Sequence, residues 1–97
     1  MMTRPLVSSA QCRAARALLG WTQAALADRA GVARKTVAHF EIGRRALLAR
    51  TRRDITETFE RAGLEFIWSP ATGEGVRFAP RHPGASSIET GRPGTGR

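Results

Sequence analysis

The chain has 97 residues, with 16 Lys and Arg against 8 Asp and Glu and a formal net charge of +8. That length allows one domain with a small core, and a basic domain of this size is drawn to polyanions, of which duplex DNA is the densest common one. No segment joins a basic face to a wide apolar face rich in Trp, Phe and Leu, which argues against a membrane partner, and a single cysteine excludes an internal disulfide.

The charge is unevenly placed. Residues 1–63 hold 12 Lys and Arg against 5 Asp and Glu, whereas residues 64–97 hold 4 against 3. Residues 1–7 read as a flexible N-terminus. After Arg4 and Pro5 only Leu6 and Val7 are apolar, far short of a signal peptide or a membrane span, so the expectation is a reduced, soluble, cytoplasmic protein. Ser8 or Ser9 then caps a first helix that runs to about Leu19 and stops at Gly20. Cys12 stands one helical turn from Ala15 and two from Leu19, where it packs as a small hydrophobe.

Thr22 is an N-cap for a second helix over residues 23–30, in which Leu26, Ala27 and Ala30 recur at helical spacing before Gly31 ends the run. A third helix spans about 33–42 with Gly43 as its terminator. Val32, Val37 and Phe40 face back across the turn, while Arg34, Lys35, Ala38 and His39 point elsewhere. Ala27, four residues before Gly31, lets the two helix backbones approach closely and cross steeply. A fourth helix is predicted over 50–62, capped by Ala49 or Thr51, with Ile55, Phe59 and Ala62 inward and Gly63 closing it.

Beyond it, Leu64, Phe66 and Trp68 alternate with Glu65 and Ile67, and Val76-Arg77-Phe78 alternates again after SPATGEG, so 64–79 reads as a short β-hairpin with a loose, Gly-rich turn. From residue 80 the chain turns rich in Gly, Pro, Ser and Arg with Ile88 as its only large apolar residue, a composition that predicts a disordered tail.

The arrangement of chemical groups favours binding over catalysis. His39 and His82 are the only histidines and have no Cys or carboxylate at metal-ligand spacing, and GRPGTGR lacks the Lys-Ser/Thr of a phosphate loop. The carboxylates of residues 28, 41, 54, 57 and 60 are scattered among arginines with no acid/base pair. The reading calls for no enzyme activity, no metal and no cofactor.

The segment GWTQAALADRAGV-x-x-x-TV-x-x-FE-x-GRR, Gly20 to Arg45, resembles the helix-turn-helix of the Cro/phage-repressor (Xre-like) family of transcription factors, and QCRAARALLG before it resembles the family's first helix. The resemblance implies a mainly α, lambda-repressor-like bundle of about four helices over 8–63. Its third helix enters the major groove with Arg34, Lys35 and His39 toward the base edges. The resemblance further implies that Gln23 holds a backbone phosphate, that Thr22 and Thr36 lie against the same backbone, and that Arg44, Arg45, Arg50, Arg52 and Arg53 supply affinity without sequence choice. Arg16 and Glu41 match a pair that bridges the first and third helices. Two positions depart from the family: Ala33 replaces the usual capping Ser or Thr, and Arg52 stands where an apolar residue is usual, leaving Leu47 or Leu48 to cover the first turn of the fourth helix.

The expected function is sequence-specific binding of double-stranded DNA by a transcriptional regulator, a repressor or autoregulator acting as a homodimer. The hairpin residues Phe66, Trp68, Val76 and Phe78 are the dimer candidates, because together with Leu64 they line one apolar face. The alternative is an antitoxin whose helical domain binds its own operator while hairpin and tail neutralise a protein toxin. A basic RNA-binding or structural protein is disfavoured by the lack of aromatics interleaved with the basic residues.

Overall fold

A computed structural model describes residues 5–80 of the chain. Among the described residues the order of elements is α1 (Ser9–Leu19), α2 (Gln23–Ala30), α3 (Arg34–Glu41), α4 (Ala49–Arg61), β1 (Leu64–Ser69) and β2 (Gly73–Phe78), a mainly helical fold in which a two-stranded hairpin follows the helices. The tail expected from residue 80 lies, from Arg81 onward, outside the described residues.

The helix ends follow local chemistry. Ser8 caps α1 in a capping box: its hydroxyl accepts from the Gln11 amide while the Gln11 side chain accepts from the Ser8 amide. Gly20 and Gly31 close α1 and α2 at φ 69° and 73°, the left-handed region that any side chain would strain. Helix α4 differs from expectation at its start. Leu48 occupies the N-cap, without a side-chain cap bond, and Ala49 is already helical. Of the two leucines, Leu47 packs toward the core and Leu48 stays exposed.

Among the described residues the core is formed by Val7, Cys12, Ala15, Leu26, Ala27, Val37, Phe40, Ile55, Phe59, Leu64 and Phe66. Phe59 is its centre, stacked on Trp21 at 5.7 Å between ring centroids and meeting Phe66 edge-on at 6.0 Å. Truncating such a side chain to alanine costs about 3–5 kcal/mol.

Val7, read from the sequence as part of a flexible leader, is fully buried. Its amide donates to Thr56 Oγ1 at 3.0 Å, and its carbonyl accepts from the Arg52 guanidinium, which also reaches Leu6 O. The segment before α1 is therefore strapped across α4, a contact over more than forty residues that no local pattern encodes.

The strands pair antiparallel with Leu64 opposite Phe78, Phe66 opposite Val76 and Trp68 opposite Glu74. The turn is tighter than the Gly-rich stretch suggests. Ser69 pairs with Gly73, which takes φ 88°, and the Ser69 hydroxyl accepts from the Ala71 and Thr72 amides. The hairpin lies across the bundle, β1 against α4 and β2 against α1. Gln11, almost fully buried, pins it by donating Nε2 to Ile67 O and Gly75 O at 3.2 and 3.0 Å.

Candidate nucleic-acid interface

Helix α2 starts on Thr22, whose Oγ1 accepts from the Ala25 amide at 3.0 Å. Gly31 then bends the chain, the Val32 amide returns to Ala27 O, and Ala33 opens α3 with no side-chain cap bond. The Thr36 amide turns back to Ala33 O at 3.0 Å instead, and a capping hydroxyl at residue 33 would give the first-turn amides a further acceptor, worth roughly 1 kcal/mol. Helix α3 buries Val37, Phe40 and Glu41. Arg34 and Lys35 are left exposed on its first turn, with Thr36 and His39 half-buried.

The two ends of α3 are treated oppositely. Its C-terminal end is gripped by one face of α1, residues 9, 12, 13 and 16 at helical spacing. Ser9 Oγ donates to Phe40 O at 2.6 Å, and Arg13 Nη1 donates to Glu41 O. Arg16 forms a fork on the Glu41 carboxylate, Nε and Nη2 each at 2.7 Å, and its remaining Nη1 donates to Trp21 O. Gln23 Nε2 and Cys12 Sγ donate to the same carboxylate at 3.0 and 3.2 Å. Carbonyls and a carboxylate meet cations at the negative end of the helix dipole, which is the favourable sense. The N-terminal end, with Arg34 and Lys35, is open.

Burial by itself would raise the Glu41 carboxyl, which is 1% exposed, but the hydrogen bonds from Arg16, Gln23 and Cys12 outweigh it and hold the group below the usual glutamate range. The same bond raises the Arg16 guanidinium further. Burial, together with Glu41, pushes the Cys12 thiol strongly upward, so it stays protonated and serves as a donor.

Beyond α3, Arg44, Arg45, Arg50 and Arg53 are exposed, and α4 carries no acid in its first turn. Cations at the positive end of a helix dipole are unfavourable by about 0.3–1 kcal/mol each, a deficit that a bound anion would reverse. Arg52 has a structural role besides. Its guanidinium donates through Nε and Nη2 to Leu6 O and Val7 O and lies over the Phe40 ring at 6.0 Å, so it holds the N-terminal strap. Gln23 is held by Glu41 through one amide hydrogen.

The hairpin candidates divide. Phe66 is in the core and touches Phe59, and Trp68 and Val76 are half-buried against that core. Burial by α1 and α4 is the reason. Phe78 is 55% exposed. Ser9, Gln11 and Arg13 escaped sequence reasoning because their partners are distant backbone carbonyls, which have no residue signature. Among the described residues no group of three or more His, Cys, Asp or Glu could hold a metal ion, and no helix is long and apolar enough to cross a membrane.

Residues 13–60 match the family model described as helix-turn-helix. No curated protein matches the chain significantly.

Proposed function

We propose, from the premise that the chain belongs through residues 13–60 to the helix-turn-helix family of the Cro/C1 type and is a DNA-binding regulator, that it acts as a sequence-specific repressor or autoregulator of transcription. The observation that carries this reading is the asymmetry of α3, anchored at Glu41 by α1 and open at Arg34 and Lys35. A reading helix needs a fixed angle of presentation and long donors at its N-terminal end, and both features support the role.

In this reading Arg34 takes a guanine through O6 and N7, Lys35 a base or a phosphate, and His39 a purine N7 one turn on. Thr22, Gln23, Thr36, Arg44, Arg45, Arg50 and Arg53 lie along the backbone and supply the salt-dependent part of affinity. Arg16 and Glu41 set the angle. One domain of this size buries too little for tight binding, so two copies on a two-fold operator are required. The site of action is the cytoplasm, with the DNA.

Selection of bound duplexes from a random pool tests the proposal. Enrichment of a reproducible two-fold-symmetric motif is the expected result, and a pool that stays random would overturn it.

A further inference from the structure

A hollow of about 310 Å³ opens between the start of α1 and the loop that joins α3 to α4. Its floor is apolar: the Phe40 ring, 5% exposed, and the half-buried Leu47 line it, with Ala46 beside them at an exposed position. The polar part of the lining consists of hydroxyls and cations, and among the described residues no carboxylate contributes to it.

The donors around this hollow are unequally used. The Ser8 hydroxyl gives its hydrogen to Glu74, and the Ser9 hydroxyl gives its own to Phe40 O. Arg52 directs Nε and Nη2 to the carbonyls of the N-terminal strap, which leaves Nη1 over. Arg45 is exposed, and among the described residues its guanidinium meets neither a carbonyl nor a carboxylate. Free guanidinium hydrogens above an apolar floor fit an oxyanion that carries an apolar body.

We propose that this hollow binds a small monocarboxylate of about the size of benzoate, its carboxylate on Arg45 and on Nη1 of Arg52 and its apolar body on Phe40 and Leu47, and that the bound acid withdraws Arg45 from DNA. A cavity of about 150 Å³ accommodates a benzene ring, so the hollow has room for a ring and its carboxylate. A planar carboxylate matches the two parallel hydrogens of a guanidinium fork. A phosphate gains nothing from the floor, and the hydroxyl hydrogens that could meet its third oxygen are already given away.

The site borders the reading helix as well. Phe40 O, at the held end of α3, accepts from Ser9 Oγ at 2.6 Å and from the Gly43 amide at 3.0 Å, and Gly43 lines the same hollow. Coupling to DNA rests on the reading above, in which Arg45 contacts the backbone, whereas binding of the acid does not. A guanidinium already paired with a carboxylate is lost to a phosphate, so acid and duplex weaken each other by the same factor. That factor has a ceiling, the weakening that loss of the Arg45 contact produces by itself.

Titration calorimetry of the full chain with sodium benzoate, without DNA and at constant ionic strength, tests the site. One benzoate per chain is expected, with acetate, benzyl alcohol and inorganic phosphate binding more weakly, because each lacks the apolar body or the carboxylate. Arg45→Ala should weaken benzoate at least about tenfold, the loss of charge-assisted hydrogen bonds. Ala46→Leu, which fills the hollow without touching a charge, should abolish benzoate binding and leave duplex affinity unchanged, with helix content by circular dichroism as in the parent. Duplex affinity of the parent should fall with benzoate to a plateau at the factor set by Arg45→Ala, and benzoate should have no effect on duplex binding by Arg45→Ala. Absence of benzoate binding, acetate or phosphate binding as tightly as benzoate, or benzoate binding that survives Ala46→Leu would each overturn the site. Bound benzoate that leaves duplex affinity unchanged would overturn the coupling. The calorimetry contains no duplex, so its failure leaves the DNA-binding reading standing, and a failed pool selection leaves the test of the site intact.

Discussion

Removing Arg16 should be far more damaging than removing an ordinary surface arginine. In Arg16→Ala the Glu41 carboxylate, whose side chain is 2% exposed, keeps only Gln23 and Cys12 as donors. A charge stranded in this way costs about 3–5 kcal/mol, against about 1 kcal/mol or less for an exposed pair. Glu41→Gln should cost less, because the Arg16 side chain is 21% exposed and can recruit water. Urea melts followed by helical circular dichroism measure both. The pH dependence adds a second reading. In the parent, the folded carboxyl is held below its unfolded value, so its contribution is complete above about pH 4.3 and fades as the pH falls through the folded value. In Arg16→Ala, the chief lowering bonds are gone and burial dominates, so the variant gains from protonation. The gap between parent and variant should therefore narrow in acid. Melts of Arg16→Ala that match the parent at neutral pH, or a gap that widens in acid, would refute the argument that this pair is buried and fixes α3.

Three further outcomes follow from particular residues. Ala33→Ser supplies the missing cap of α3 and should raise stability by about 1 kcal/mol in the same melts, with an unchanged value showing that the amides are already satisfied. Arg45→Ala should weaken binding to all duplexes alike and reduce the slope of log affinity against log salt by about 1. Arg52→Ala should instead destabilise the fold by releasing Val7 and leave that slope unchanged, and a flattened slope with unaltered stability would return Arg52 to the DNA backbone.

What was legible in the sequence was local. Ser8, Thr22, Gly20 and Gly31 act on amides and carbonyls within four residues of themselves, so the bounds of α1 and α2 follow from spacing alone. The alternation of Leu64, Phe66 and Trp68 was equally direct. What escaped depends on contacts across the chain. Gln11 looks like a solvated helix residue until the hairpin, 56 and 64 residues away, brings two carbonyls to it. Arg52 reads as one more cation in a basic run because its partners, Leu6 O and Val7 O, are backbone groups that any residue carries. The hairpin's apolar face was visible, but how much of it α1 and α4 would cover depended on the packing angle. At α3, residue types identified the candidates, and only packing distinguished its held end from its free one.

The central claim is that the free end of α3 reads the bases. The most direct test repeats the selection from a random duplex pool with Arg34→Ala and with His39→Ala. Each variant should relax the preference at one position of each half-site, at a cost of about 1–3 kcal/mol on the parent's site, and keep the rest of the motif. A motif unchanged in both variants would contradict the account and move the reader to another surface.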